Sequence, residues 1–111
     1  MHRGDATEQS KPHYPLASVK EAFHGGRFVI TSRVRRHMAL HDWTERDVVA
    51  CIGGLKLDDF HKSQAHRMHP RLWLDVYRPI FCDSRRYVKF TRELTGVAFV
   101  LLSFCIDGED H

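Results

Sequence analysis

The sequence predicts an α+β fold in which three short helices from the N-terminal half pack on a mainly antiparallel sheet from the C-terminal half. One observation is a change of hydrophobic period near Leu55, from helical spacing before it to alternation after it. A second is the pair of turn-like dipeptides Asp83-Ser84 and Thr95-Gly96, which join the last three predicted strands into a meander. A third is the size of the chain, since 111 residues with 42% hydrophobic content are typical of one globular domain.

The polar residues 1–13 are expected to form a flexible tail, followed by a single domain over residues 14–111. The tail has no apolar region of the kind that a signal peptide needs. No stretch of the chain approaches the roughly 18 apolar residues of a membrane helix. The three cysteines are far apart and odd in number, which favours free thiols in a reducing compartment. A cytoplasmic protein without a membrane partner is therefore expected.

The first helix is predicted from apolar residues at helical spacing after the tail. Ser18 and Glu21 have the spacing of a capping box, and Gly25-Gly26 is a stop signal. Residues 27–30 are expected to form a short strand or an extended link. The apolar stripe of this helix consists of Leu16, Val19, Ala22 and Phe23.

Two more helices are predicted before the period changes. The second follows a cap at Thr31 or Ser32 and continues through Leu40. The third opens at Thr44, with an acid three residues later as in a capping box, and ends at Gly53-Gly54. The first half of the chain is therefore expected to be rich in helix.

Four strands are predicted in the second half, over residues 60–67, 72–82, 85–93 and 97–106. Pro79 lies inside the second of them and indicates an edge or a bulge. The last is nearly all apolar, as expected for a strand that is covered on both faces.

The hairpin between the second and third of these strands allows a prediction of which side chains share a face. If Asp83-Ser84 is a two-residue turn, Ile80 lies opposite Tyr87 and Arg78 lies opposite Lys89. Directly opposed residues point to the same side of a sheet. Arg78, Tyr87 and Lys89 are therefore expected on one face. The other face, which should meet the core, then carries Tyr77, Phe81, Val88 and Phe90.

Two cations and a phenol on one sheet face suit RNA cleavage without a metal. That reaction needs a base for the ribose 2′-hydroxyl, positive charge for the crowded phosphorane and a proton for the leaving 5′-oxygen. Lysine and arginine supply the charge, and tyrosine or histidine carries a proton or orients the phosphate. The expected products are a 2′,3′-cyclic phosphate and a 5′-hydroxyl.

Basic residues cluster in two places, although the net charge is only +3 and the pI is near 8.9. One cluster is the arginine group in residues 33–36, and the other is the His- and Arg-rich run over residues 61–71. Clustered positive charge indicates a polyanionic partner. The arginine group equally suits the solvated face of a helix, and both interpretations stay open at this point.

Three histidines close in sequence, His61, His66 and His69, raise the question of a metal site. In a regular strand the side chains alternate, so His61 and His66 face opposite ways, as do His66 and His69. No nearby Cys or His pair completes a ligand set. No metal and no cofactor are therefore expected.

The motifs DDFHKS, WLDVYRP and YVKF, in this order and spacing, resemble the MqsR family of type II toxins. The resemblance extends from about Tyr14 to Phe104, and DVYRP is its most specific piece. It implies a RelE-like fold and an mRNA interferase: a sequence-selective endoribonuclease that cleaves single-stranded mRNA and inhibits translation and growth. It also implies a cognate antitoxin similar to MqsA, a zinc-containing helix-turn-helix protein. The ribosome stays an open partner, because enzymes of this family act without it or in loose association with it.

The resemblance also assigns roles to residues of this chain. A lysine in DFxKS and a tyrosine in the YxK strand are tied to activity in the family, and they correspond to Lys62 and Tyr87. A glutamine after the family's tryptophan corresponds to Leu74, and a lysine near its C-terminus corresponds to Cys105. The expected catalytic residues are Lys62, Tyr87 and Lys89. The expected substrate-binding residues, some of which would compensate for these two departures, are Arg78, His61, Gln64, His66 and Arg67.

Other interpretations of the same residues stay open. Lys62 and Lys89 also suit solvated strand lysines that protect a sheet edge, Tyr87 suits half-buried packing, and Arg78 suits an ion pair with Asp75 or Glu93. Leu74 and Cys105 favour the main alternative function, an RNA-binding or antitoxin-binding module with weak or no catalysis. A purely structural interaction protein is disfavoured by the spacing of the lysines and the tyrosine.

Overall fold

The computed structural model describes residues 8–69 and 71–109, in which three helices precede most of a seven-stranded, mainly antiparallel sheet. The helices are α1 (Leu16–His24), α2 (Ser32–His41) and α3 (Glu45–Gly53). The strands are β1 (Glu8–Gln9), β2 (Phe28–Ile30), β3 (Phe60–Ala65), β4 (Trp73–Tyr77), β5 (Ile80–Phe81), β6 (Ser84–Arg92) and β7 (Phe99–Ile106). The predicted α+β class is confirmed.

The sheet has the strand order β1-β3-β4-β6-β7-β2, and β5 pairs with β6 outside this path. The neighbouring strands β3, β4, β6 and β7 are antiparallel, so the predicted meander is confirmed. β2 is the exception, because it pairs in parallel with β7 through Phe28 opposite Phe99 and Ile30 opposite Leu101. The last strand of the chain therefore lies inside the sheet.

Part of the predicted tail, residues 1–7, lies outside the described residues. Of the remainder, Glu8 and Gln9 form β1, which pairs antiparallel with β3. The backbone amide of His13 donates a hydrogen bond to the carboxylate of Asp75 at 3.1 Å. The division into a tail and a domain stays a prediction.

The start of α1 differs from the prediction. Its N-cap is Pro15, which offers no side-chain cap, so the predicted capping box of Ser18 and Glu21 is wrong. Ser18 lies in the first turn, where its amide already donates to the carbonyl of Pro15 at 3.0 Å. A proline with φ of −58° and an extended ψ starts the helix by its own rigid geometry.

The other helix ends agree with the prediction. Thr31 caps α2 by accepting a hydrogen bond from the amide of Val34. Thr44 and Asp47 form the predicted capping box of α3, with each side chain accepting from the other residue's backbone amide. None of the helices in the described ranges has the length and apolarity that crossing a bilayer requires.

The core lies between the helices and one face of the sheet. The helices contribute buried residues at helical spacing, as the apolar stripes predicted. The sheet contributes every second residue of its strands. Tyr77, Val88 and Phe90 are fully buried, as predicted, and Phe81 packs at the margin. The largest other core residues are Val19, Phe23, Val34, Val48, Ile52, Leu55, Leu101 and Phe104.

A buried carboxylate ties the segment before α1 to this core. Asp75 is fully buried in β4 and accepts hydrogen bonds from the amide of Tyr14 at 2.9 Å and from Oγ of Ser63 at 2.6 Å, besides that from His13. Three donors compensate the cost of burying a carboxylate. The aspartate of the DVYRP motif thus has a structural role.

The turn before β6 lies one residue earlier than predicted. The pairs Ile80–Arg85 and Phe81–Ser84 make Cys82-Asp83 the turn, and the prediction of Asp83-Ser84 is wrong. Both turn residues have positive φ, 51° and 66°, as a type I′ hairpin turn requires. Aspartate and serine are common turn residues, whereas cysteine is uncommon in this conformation, so composition pointed to the wrong pair.

The register of β4 on β6 is corrected in the same way. Val76 lies opposite Lys89 and Tyr77 opposite Val88, so the predicted pairs of Arg78 with Lys89 and of Ile80 with Tyr87 are wrong. The displacement is two residues. Because side chains alternate with a period of two, such a displacement leaves the paired strand residues on their predicted faces. Arg78 lies between β4 and β5, outside both strands.

Candidate active site

A second face of the sheet lies opposite the helical core and carries the predicted site residues. We call it the basic face and define it by Lys62, Val76, Tyr87, Lys89 and Cys105. Lys62 pairs with Val76, Val76 with Lys89, and Lys89 with Ser103, which makes one row across β3, β4, β6 and β7. Paired residues point to the same side. The two lysines therefore stand on either side of Val76, which is fully buried.

Tyr87 lies next to this row on the same face. It pairs directly with Cys105, and both pack in a small apolar cluster with Val76. Burial is the main cause that raises the pKa of the Tyr87 phenol, with smaller contributions from Cys105 and Asp107. The phenol therefore keeps its proton at neutral pH, where it can donate a hydrogen bond.

Positive charges converge around Lys89. Burial lowers the pKa of the Lys89 ammonium, and the nearby charges of Arg33 and Lys62 lower it further. Arg33 lies in the first turn of α2, and the residue before this helix, Thr31, donates its amide to the carbonyl of Leu101 in β7 at 3.4 Å. Three cations around one spot suit the binding of an anion.

Two residues of this arrangement, Arg33 and Ser103, were not predicted from the sequence as site residues. Arg33 was part of an arginine cluster whose contacts the sequence left open, and its position beside Lys89 depends on the pairing of β2 with β7. Ser103 lies opposite Lys89, is buried, and has an Oγ that makes no hydrogen bond within the described part of the chain. A buried hydroxyl of this kind suits a donor to a ligand oxygen. The alternation of β7 was the only signal for it.

Arg78 is held at the edge of the basic face. Its Nε and Nη2 donate to Oδ2 of Asp107 at 3.0 and 2.6 Å, so its partner is Asp107 and not Asp75 or Glu93. Arg78 is close enough to Tyr87 for its charge to oppose the rise in the pKa of the phenol. The guanidinium is therefore positioned beside the tyrosine, with part of its charge balanced.

His61 lies at the irregular point of β3 between Phe60 and Lys62. Its side chain is mostly exposed. The small part that is buried, and then the charges of Arg78 and Lys62, lower the pKa of its imidazole. An imidazole that is neutral at pH 7 can accept a proton. His61 thus adds a possible base to the cations and the phenol.

The remaining predicted residues, Gln64, His66 and Arg67, surround a groove beside Lys89. The groove has a volume of about 410 Å³. Gln64 lies opposite Leu74 in β4 and points to the same face as Lys62. Gln64 and Leu74 therefore line the groove from the basic face. His66 and Arg67 belong to the loop that follows β3.

The prediction that His66 and His69 face opposite ways is wrong. β3 ends at Ala65, so the two residues lie in a loop where strand alternation does not apply. Their ring centroids are 5.1 Å apart. Nevertheless, no group of three or more His, Cys, Asp or Glu side chains in residues 8–69 and 71–109 has the arrangement of a metal site.

The family comparison covers almost the whole fold. A family model described as "Motility quorum-sensing regulator, toxin of MqsA" matches residues 11–105. No curated protein matches the chain. The matched range includes all three helices, the strands β2 to β6 and every residue that defines the basic face.

Proposed function

The chain belongs to the MqsR toxin family and is the toxin of a toxin–antitoxin system, and we propose that it is a metal-independent endoribonuclease that cleaves single-stranded mRNA. The observation that carries this proposal is the convergence of Lys62, Lys89 and Arg33 beside the protonated phenol of Tyr87. We further propose that the enzyme acts in the cytoplasm and that mRNA cleavage inhibits translation and growth.

The scissile phosphate lies between Lys62 and Lys89, whose charges stabilise the phosphorane. Tyr87 orients a phosphate oxygen by a hydrogen bond from its phenol. Arg78, held by Asp107, contacts an adjacent phosphate. The charge of Arg33 compensates for the lysine that the family has at the position of Cys105.

We assign the two proton transfers to His61 and Lys89, whose positions beside the basic face and directions of pKa shift suit these roles. The neutral imidazole of His61 takes the proton of the ribose 2′-hydroxyl, whose oxygen then attacks phosphorus. The bond from phosphorus to the 5′-oxygen breaks, and Lys89 gives that oxygen a proton, which its lowered pKa favours. The products are a 2′,3′-cyclic phosphate and a 5′-hydroxyl.

The family's description, "toxin of MqsA", makes a cognate antitoxin the protein partner. We propose that this antitoxin is a zinc-containing helix-turn-helix protein similar to MqsA. The other proposed partners are mRNA and, for substrate delivery, the ribosome.

The decisive experiment is digestion of a long single-stranded RNA by the purified protein in EDTA. Discrete cuts ending in cyclic phosphate are expected, and a Lys62→Ala/Tyr87→Phe variant should lose at least about a hundredfold in rate. Lys20→Ala is the matched control, because Lys20 lies in α1 on the other side of the sheet. Cuts that persist unchanged in the double variant would reject this site while keeping the function.

The alternative function is an RNA-binding or antitoxin-binding module with weak or no catalysis. It is favoured by Leu74 and Cys105, two apolar side chains on the basic face where the family has a glutamine and a lysine. Intact RNA with the wild-type protein, both alone and with ribosomes, would support this alternative. Salt-dependent RNA binding that Lys62→Ala weakens would then identify the basic face as the binding surface.

A further inference from the structure

A groove adjoins the cations of the basic face. Its lining includes the apolar side chains of Ala65, Met68 and Leu74 and the polar side chains of Gln64, His66, Arg67 and Lys89. We propose that this groove binds one nucleobase of the RNA strand, directly beside the phosphate that Lys89 contacts, and that His66 determines which base is preferred. This inference rests on the proposed function, and it identifies the part of the RNA that binds beside Lys89.

The position of the groove relative to Lys89 follows from the register. Leu74 and Val76 are two residues apart on the same face of β4, and Val76 pairs with Lys89. Leu74 is therefore a diagonal neighbour of the lysine, within the reach of long side chains. A phosphate at Lys89 thus places the adjoining base over Leu74.

The surfaces of the groove suit a flat ring. Met68 exposes 78% of its surface, and Leu74 is half-buried. A thioether and a branched aliphatic side chain both pack well against the face of an aromatic ring. Bases in single-stranded RNA are not paired, so they can be splayed out and enter such a groove.

His66 presents a defined hydrogen-bonding group. Its Nδ1 accepts the backbone amides of Met68 and His69 at 3.0 and 3.2 Å, which assigns the ring proton to Nε2. Its own amide donates to the carbonyl of Leu72 at 2.9 Å and fixes the start of the loop. The ring is thus held in place, with an Nε2–H donor that suits an acceptor atom on the edge of a base.

The test is an abasic scan of a short RNA that contains one cleavage site. Each nucleotide is replaced in turn by an abasic one, and both kcat/KM and Kd are measured. For the wild-type protein, one abasic position directly beside the cut should cost about tenfold. Leu74→Ala should show no further loss at that position. Leu94→Ala, which removes an exposed leucine in the β6–β7 turn, should behave like the wild type.

The role of His66 is tested by His66→Asn. An asparagine oxygen can accept the amide two residues later, as Nδ1 does here, so this variant keeps the turn and removes the Nε2–H. The ratio of kcat/KM for the best base to that for the worst base at the mapped position should fall about tenfold. An unchanged base preference would overturn this role.

The outcomes separate the groove from the proposed function. If the wild-type protein cleaves but no flanking abasic position costs activity, or if Leu74→Ala loses as much as the wild type, the groove binds no base. If the wild-type protein does not cleave, the proposed function fails. The Kd values alone then test whether the groove binds a base. One abasic position that weakens binding to the wild type but not to Leu74→Ala would still support it.

Discussion

The carboxylate of Glu8 lies 3.5 Å from Nζ of Lys62. β1 places it there, because Glu8 pairs with Gln64 and so points to the basic face. The lysine side chain is 29% exposed and the glutamate 57% exposed, so the pair is open to solvent and readily broken. A carboxylate at this position competes with a phosphate for the lysine.

We therefore expect Glu8→Gln to tighten the binding of single-stranded RNA. The effect should be about threefold at low salt, because an exposed ion pair is worth little. Fluorescence anisotropy with a labelled oligonucleotide measures it, and Glu21→Gln on α1 is the control. Weaker binding by Glu8→Gln would show that the carboxylate does not compete with RNA.

The shifted pKa of Lys89 predicts the alkaline side of the pH profile. Lys89 acts as the protonated ammonium, and its folded pKa lies below 10.5, so activity should fall as the pH rises through that lowered value. Arg33→Gln removes one charge that lowers this pKa. The alkaline limb of kcat/KM should move to higher pH, while the maximum falls at least about tenfold. Arg46→Gln, on exposed α3 surface, should leave both unchanged.

The same shift predicts how stability depends on pH. Because the folded state holds the Lys89 proton less tightly than the unfolded state, the free energy of unfolding gains a contribution as the pH rises from the lowered pKa to 10.5. Lys89→Met removes this contribution. Urea denaturation at several alkaline pH values measures the slope, and equal slopes for both proteins would contradict the prediction.

Asp75→Ala should destabilise the fold by about 3 kcal/mol, because it leaves the donors of Tyr14, His13 and Ser63 without their buried acceptor. Asp75→Asn keeps one acceptor oxygen and should cost less. Asp58→Ala, at an exposed position, is the control. Denaturant midpoints compare the variants, and equal midpoints for Asp75→Ala and Asp58→Ala would reject the structural role of Asp75.

Thiol labelling should distinguish the three cysteines. Cys82 is exposed in its turn, whereas Cys51 and Cys105 are buried. Burial raises the pKa of the Cys51 thiol to about 12, so little reactive thiolate forms near neutral pH. Mass spectrometry after brief alkylation should find one label per native chain and three after unfolding. Rapid labelling of native Cys51 would contradict the buried position.

The fold was largely predictable because its determinants are local. Helical spacing, the cap at Thr44 and the change of period each involve a few neighbouring residues. The capping box at Ser18 failed because Pro15 starts α1 earlier. Arg86 shows the limit of alternation: it takes a core position by parity, and it is tolerated there because its guanidinium lies 4.0 Å from the centre of the Trp43 ring.

The candidate site was predictable only in part, because some of it joins distant segments. Tyr87 and Lys89 were placed on one face by alternation, which survived the error in the turn, whereas Lys62 was assigned to the site by the family resemblance. Glu8 and Arg33 arrive through the β1–β3 and β2–β7 pairings, which connect residues far apart in sequence. No local pattern in the chain specifies those pairings.

β7 is synthesised after every other strand in the described part of the chain, although it lies between β6 and β2. While a ribosome is still adding it, β2 lacks its neighbouring strand, and Tyr87 and Lys89 lack their β7 partners Cys105 and Ser103. On the proposed function, a nascent toxin therefore cannot assemble its basic face. The nascent chain therefore does not cleave the mRNA that encodes it until β7 has been translated.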